Sequence, residues 1–481
     1  MPNWKASRYN ITTDYKDQFY IVHNLLSDHG VMIDADKIDD LRTVLKKPDL
    51  HQEHPLFSTL VDRGLLLDAQ IDEDDLIAAR KTTMLAKNQG VLALTLIPTY
   101  QCNFKCVYCW EDTKDTNDSM KPEAQRRLLA YIDSQLPNSS TLNLTWFGGE
   151  PLMAFKVIKN LSEQIDILCK KYRVPYFASI TTNGYLLTLD RFKFLHDHNT
   201  RFFQVTLDGP AELHDKNRPL KTHGKGKFKL PVLNGAEPHQ HDAGDGSCSD
   251  HTKVKPPGTF ERVLNNLREI RDHAKGTFRF IVRLNVTEET RAHSGAFLNL
   301  VQAEFAHDKR FRLYMQAVEG HDGVREEEME GNYLSVHDKL MEDLFDESIS
   351  KGIMTSTLRF SKPGDLMCGT RQPNSFFVNS DGRFYKCDME MRQDHQTFAG
   401  ELDENGTLQT HETNLREWEK VDPPDYCNKC VLQPMCFGLK CPYYNSLKAE
   451  TRCELFNSHS FARCAVKTYA QEGKYELTKI P

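Results

Sequence analysis

The chain runs to 481 residues, 39% hydrophobic and 27% charged, which describes a soluble globular protein of about two to four domains rather than a fibrous or disordered one. A net charge of −7 leaves no basic footprint, which argues against nucleic acid as a partner. The opening MPNWKASRYN lacks an apolar signal core, and no stretch approaches the roughly 20 apolar residues that span a bilayer, so a cytoplasmic address without a membrane partner is expected.

Residues 1–90 contain no cysteine and form a block with its own rhythm. FYIVHN (19–24) and VMID (31–34) read as short strands separated by the turn residues SDHG. Asp34 or Asp36 can cap a helix through IDDLRTVL, and a second helix through FSTLVDRG ends at Gly64. DEDDLIAARKTTMLAK (72–87) reads as a charged connecting helix, and the whole block as a small αβ domain of winged-helix character.

From residue 91 apolar strands alternate with amphipathic helical stretches. Strands are expected at 91–98, 142–148, 176–182, 202–208, 278–286 and 311–318, with helices such as EAQRRLLAYIDSQL and FERVLNNLREIRDHA between them. Alternating β and α units imply a parallel sheet with right-handed crossovers. Six units fit a partial (β/α)6 TIM-type barrel over 91–325, whose chemistry would sit at the carboxyl ends of the strands. Residues 219–258, rich in Gly, Pro, His and Lys, break the rhythm and read as a surface insertion. His239, His241, Cys248 and His251 within it match no standard zinc spacing, so a solvated loop is preferred to a metal site. A helical bridge over 326–366 leads to a cysteine-rich region at 367–481.

The 13 cysteines are spread unevenly: none precedes Cys102, three fall within eight residues, and eight lie from Cys368 onward. In a reducing compartment an odd, clustered set argues for metal over disulfides. Cys102-x3-Cys106-x2-Cys109 follows the first barrel strand directly. Three thiolates on one loop can grip three irons of a cubane and leave the fourth open to a small chelating ligand; the alternative is a zinc loop completed by a distant residue. WFGGEPL (146–152) ends the second strand, TTNG (181–184) the third and TLDGP (206–210) the fourth, followed by HDKNR (214–218).

The cysteine loop, with Tyr108 at its aromatic position, resembles the radical S-adenosylmethionine (radical SAM) superfamily, and Gly148, Gly149 and Glu150 match that family's GGEP motif. The resemblance implies that the open iron binds S-adenosylmethionine, which an injected electron cleaves to a 5′-deoxyadenosyl radical, the cofactors carrying the radical chemistry. The two glycines would let backbone approach a ligand and Glu150 would offer a carboxylate to its ammonium. Asn183, Thr206 and Arg218 are implied contacts to the ribose and the methionine carboxylate, although each also suits a strand-end cap or turn.

The downstream array reads Cys368-x13-Gly382-x4-Cys387, then Cys427-x2-Cys430-x5-Cys436-x4-Cys441, then Cys453. Cys427 and Cys430 alone would also suit a zinc ribbon. Seven cysteines after such a barrel resemble a SPASM domain, which holds two auxiliary iron–sulfur clusters; that family usually has x3 where this chain has x4 before Cys441. Carried over, Cys427, Cys430, Cys436 and Cys453 would complete one cluster, and Cys368, Cys387 and Cys441 would hold the other with one iron open. Three [4Fe-4S] clusters are therefore expected in all. Cys464 could close the open cluster but, like Cys169 and Cys248, reads as an ordinary thiol.

The whole arrangement resembles the peptide maturases of ribosomally made natural products. That likeness implies a precursor peptide whose leader pairs with the N-terminal block as an added strand, with residues 19–34 supplying the partner strands, and a flavodoxin- or ferredoxin-type reductant. Hydrogen-atom abstraction followed by crosslinking is the expected activity, a thioether being preferred to a carbon–carbon link because an open auxiliary iron can hold a thiolate. Asp388, directly after Cys387, would be the general base, unless it caps a turn or pairs with Lys386 or Arg392. The same Cys-Asp pair marks sulfatase maturases, which form formylglycine and are the runner-up. A non-catalytic electron carrier or binding protein is the reading from another class, disfavoured because a carrier needs no cofactor pocket.

Overall fold

The computed structural model describes residues 3–109, 119–221, 258–318, 339–357, 368–388, 391, 398–419, 425–438 and 458–480. Cys441, Cys453, His239, His241, Cys248, His251 and Arg392 lie outside the described residues.

At the N-terminus β1 (Trp4–Ala6) pairs antiparallel with β5 (Leu66–Asp68). Between them β2 (Asn10–Tyr15), β3 (Phe19–Asn24) and β4 (His29–Asp34) form a three-stranded antiparallel sheet in that order. β3 is paired on both sides, so within 19–34 only β4 presents an outer edge. Along β2 every second residue is buried, the alternation of a sheet with one wet face. Val22, Val31 and Ile33 pack with Leu41, Val44, Leu60 and Leu66 into a core of their own. The helix Ile38–Lys46 follows a tight turn at Ala35–Lys37, and the expected Asp34 or Asp36 cap does not form. Lys37 stands at the cap position without a side-chain bond, while Asp39 and Asp40 meet the helix dipole in the first turn. Gly64 follows the helix Phe57–Asp62 at φ +71°, and Asp72 caps Glu73–Asn88 by accepting from the Asp74 amide at 2.8 Å.

Six parallel strands then build the central sheet: β6 (Val91–Leu96), β7 (Thr141–Trp146), β8 (Tyr176–Thr182), β9 (Thr200–Thr206), β10 (Arg279–Val286) and β11 (Phe311–Ala317). They lie side by side in chain order, each joined to its neighbour through helix, as the alternating sequence predicts. The wall is packed by a run of rings, Phe192–Phe203–Phe280–Phe311–Phe305, with successive centroids 4.8, 5.0, 5.0 and 4.7 Å apart.

The sheet does not end at β6. β12 (Ser375–Val378) pairs parallel with it, Ser375 opposite Ala93 and Val378 opposite Leu96, and β13 (Arg383–Tyr385), β14 (Gly400–Leu402) and β15 (Leu408–Thr410) continue antiparallel. The cysteine-rich region therefore begins by extending the barrel sheet to ten strands. Gly382 makes the β12–β13 turn at φ +85°, where Asn379 Oδ1 accepts from the Asp381 and Arg383 amides. The C-terminal helix Ser458–Gln471 packs on β2 and on the helix Lys339–Ser350. Its Lys467 is almost fully buried, with Nζ 2.6 Å from Asp346 and 3.6 Å from Asp14. Among the described residues no helix is long and apolar enough to cross a membrane.

Candidate active site

The three-cysteine loop leaves the carboxyl end of β6 and is clamped from two sides. On one side, the Lys105 amide donates to the Pro219 carbonyl (2.8 Å), Val107 to Asn217 (3.0 Å) and Lys221 to Asn103 (2.8 Å). Residues 219–221, expected as the start of a solvated insertion, thus strap the loop. On the other, the Gly149 amide reaches the Thr99 carbonyl at 3.3 Å and the Glu150 amide reaches Gln101 at 2.8 Å.

This second clamp explains the paired glycines. A Cβ on Gly149 would stand 2.3 Å from the Tyr100 carbonyl oxygen and 2.6 Å from that of Gln101. Gly148 sits at φ +118°, with Thr99 O 2.6 Å from where a Cβ would be. The close approach for which glycine is needed is therefore to the cysteine loop itself.

Glu150 lies wholly inside. Its Oε1 accepts from the Leu152 amide (3.0 Å) and the Thr182 hydroxyl (2.7 Å), and Oε2 accepts from the Asn183 amide (2.7 Å). Burial raises its pKa against these donors. With three acceptor positions filled, the carboxylate ties the end of β7 to the end of β8 and keeps one position to spare. Asn183, held by this bond, turns its own amide to Asn103 Oδ1 at 2.8 Å and to Cys102 Sγ at 3.9 Å.

Tyr108 reaches the opposite rim. Its hydroxyl donates to Asp208 Oδ2 and accepts from Arg218 Nη1 and Asn285 Nδ2, each at 3.0 Å. Asp208, fully buried just past β9, also accepts from the Asn285 amide at 2.9 Å. Arg218 lies 3.7 Å from Asp208, stacks over Phe104, and leaves a buried Nε without a hydrogen-bond partner among the described residues. Thr206, buried at the end of β9, stands opposite Arg283. The strand ends of β6 to β10 are thus joined through the loop. Asp208, Asn285, Asn103 and Thr182 were absent from the sequence-based set, and their place at strand carboxyl ends was the signal available.

Burial, then the Glu150 carboxylate, then the neighbouring Cys106 and Cys109, push the Cys102 thiol well above its ordinary pKa. Three thiols close enough to repel one another form a donor set for a cation, whose charge would reverse that shift. Among the described residues no three His, Cys, Asp or Glu side chains converge on a site for a single ion; a multi-iron cubane spreads its thiolates more widely. The donor set, the close glycine packing and the orphaned Arg218 Nε fit an iron cluster with an anionic ligand beside it.

In the downstream array, Thr370 Oγ1 donates to Cys368 Sγ at 3.2 Å and the Cys387 thiol donates to Asp388 Oδ1 at 3.5 Å. The Asp388 carbonyl accepts from Met391, while the buried Lys386 ammonium donates to the carbonyls of Gln372, Ser375 and Pro373. Cys430 closes a turn onto Cys427, and Cys436 ends the short helix Gln433–Cys436. Cys169 and Cys464 are buried in the main apolar core.

Residues 96–228 match the family described as the radical SAM superfamily. The chain carries a radical SAM domain over these residues. The superfamily carries S-adenosylmethionine and a [4Fe-4S] cluster as cofactors. The cysteine-type anaerobic sulfatase-maturating enzyme of Clostridium novyi (strain NT) is 24% identical over 349 residues, 70% of this chain and 83% of the relative. The radical SAM cyclopropyl synthase TigE of Paramaledivibacter caminithermalis is 25% identical over 152 residues, and this chain spans only 31% of its length. Among solved structures, native anSMEcpe with bound AdoMet and Kp18Cys peptide superposes with a TM-score of 0.53 at 20% identity, covering 79% of this chain and 98% of that one. That likeness supports the radical SAM barrel and its cysteine-rich extension as a fold.

Proposed function

We propose that the chain is a peptide maturase of the SPASM type, which removes a hydrogen atom from a ribosomally made precursor and installs a crosslink, preferably a thioether. Residues 1–90 would recognise the leader, 91–325 form the radical SAM barrel, 326–366 bridge it, and 367–481 hold two auxiliary clusters. The observation that carries the reading is the separate antiparallel sheet β2–β3–β4, packed on the helix Ser458–Gln471, beside a barrel whose strand ends bear the three-cysteine loop. The anSMEcpe likeness leaves about a fifth of this chain unmatched, in keeping with an added recognition module.

Cys102, Cys106 and Cys109 would hold the cluster that binds S-adenosylmethionine. When bound, these cofactors supply a hydrogen-abstracting 5′-deoxyadenosyl group, and auxiliary irons on Cys368, Cys387 and Cys441 and on Cys427, Cys430, Cys436 and Cys453 supply an electron acceptor. Gly148 and Gly149 fix the loop, Glu150 and Asn183 orient it, and Arg218 Nε, buried without a partner among the described residues, would be a donor to the ligand carboxylate. Tyr108 and Thr206 line the rim. Joining a thiol to a C–H carbon removes two protons and two electrons: one of each would leave together as the abstracted hydrogen atom, the second electron would pass to an auxiliary cluster, and the second proton to Asp388 Oδ1.

The adjacent Cys387 and Asp388, a pair that by resemblance also marks sulfatase maturases, favour a second reading, formylglycine formation. Co-expression with a cysteine-containing precursor peptide encoded nearby, followed by mass spectrometry, separates the two. A product lighter by two hydrogens, with its cysteine closed to alkylation, is expected. An aldehyde trapped by a hydrazide would contradict the crosslinking reading.

A further inference from the structure

β4 is the one edge within residues 19–34, and residues 474–480 of the same chain cover it. Beyond the helix Ser458–Gln471, Leu477 makes a parallel bridge to Met32, and the Thr478 amide donates to the Met32 carbonyl at 2.7 Å. The tail is pinned on both sides of that bond. Lys474 Nζ lies 2.6 Å from Asp28, in the turn before β4. Tyr475 is buried with its ring 5.8 Å from that of His23, and it crowds Gly30, where a Cβ would meet the Tyr475 ring at 3.0 Å. Ile480 packs against the N-terminal core.

These contacts resemble strand addition at one point: a main-chain bond at the edge, flanked by the buried Tyr475 and by Ile480 packed on the core. Backbone groups of alternate residues face the same edge of a strand. On β4 those include Gly30, whose carbonyl is taken by Arg63 Nη1 at 2.5 Å, and Met32, taken by the tail. An extended peptide cannot pair with Met32 while Thr478 holds it. The fit is also incomplete, as the Tyr475 hydroxyl is buried without a hydrogen-bond partner among the described residues. A cover that seals an edge against chance pairing has no need to be exchangeable, whereas a short strap with an unmade bond can be displaced.

We infer that residues 474–480 act as a self-bound strand that closes the β4 edge until an extended segment of a peptide substrate displaces it. This rests on the peptide-maturase reading and adds its regulation. Since only the tail-free fraction can bind, apparent affinity falls by that fraction. Loosening the tail therefore tightens binding of an added strand.

The test uses a fluorescent synthetic peptide of the tail sequence, KYELTKIP, titrated into the full chain and followed by anisotropy. Thr478→Pro removes the amide that bonds Met32 and leaves Lys474 and Tyr475 in place. The labelled peptide should bind this variant at least about tenfold more tightly than the wild type. Lys474→Ala, which removes the tail's own ion pair with Asp28 and leaves Asp28 to the labelled peptide, should shift affinity in the same direction. Equal affinity for wild type and both variants, with unchanged thermal unfolding, would overturn the inference and favour the outer edge of β2 for any strand addition. The assay involves no turnover, so its failure leaves the crosslinking reading standing, and an aldehyde product would leave this result intact.

Discussion

Gly149→Ala should lose nearly all S-adenosylmethionine cleavage and unfold at a lower temperature than the wild type. The added methyl would point at two backbone carbonyl oxygens of the cysteine loop, 2.3 and 2.6 Å away, which cannot rotate aside as a side chain can. Overpacking of this kind costs about 1–3 kcal/mol in stability. The larger effect falls on the loop, because relieving the contact breaks the Gly149–Thr99 and Glu150–Gln101 hydrogen bonds that hold Cys102 against β7. Gly295→Ala is the control: it lies within the helix Ser294–Phe305, a Cβ there meets nothing within 4 Å, and the change should be neutral or stabilise by about 0.5–1 kcal/mol. Iron content, thermal midpoint and 5′-deoxyadenosine yield check the pair. Wild-type cleavage by Gly149→Ala would show that the close packing is dispensable.

Asp388→Asn should separate cleavage from product formation. The residue is half-buried beside Cys387, and the Lys386 ammonium donates to three backbone carbonyls. A positioned general base contributes about 10²–10⁴-fold to rate, so crosslinked peptide should drop by roughly 10²-fold. Asparagine keeps the size and the turn to Met391 but cannot take a proton. Cluster content and uncoupled 5′-deoxyadenosine formation should stay near wild type. Undiminished crosslinking across pH 6–9 would reduce Asp388 to a turn residue.

The barrel was legible in the sequence because short strand-like segments rich in apolar residues alternate with amphipathic helices, and the strand expected at 176–182 coincides with β8. The cysteine loop stood out in the sequence because its three thiols are so closely spaced, and the fold places it straight after β6 as expected. What the sequence hid has local physical causes. β12 to β15 are three or four residues long, too short to show a period, so the extension of the barrel sheet came only from the fold. The Tyr108–Asp208–Arg218–Asn285 network joins residues up to 177 positions apart, a pairing that no spacing rule can reveal. The role of Gly149 was read as room for a ligand, since the sequence shows that glycine is present but not which backbone comes near. The Asp34 or Asp36 cap failed because a tight turn intervenes before the helix and moves the cap to Lys37.

The central claim is that the loop of Cys102, Cys106 and Cys109 holds the cluster on which S-adenosylmethionine is cleaved. Anaerobically reconstituted full-length protein with all three changed to Ala, reduced with dithionite and given S-adenosylmethionine, tests it directly by chromatography of 5′-deoxyadenosine alongside iron content. The account predicts iron lower by one cluster's worth, no 5′-deoxyadenosine, and retention of the iron held by the downstream cysteines. Continued formation of 5′-deoxyadenosine by the triple variant would contradict it.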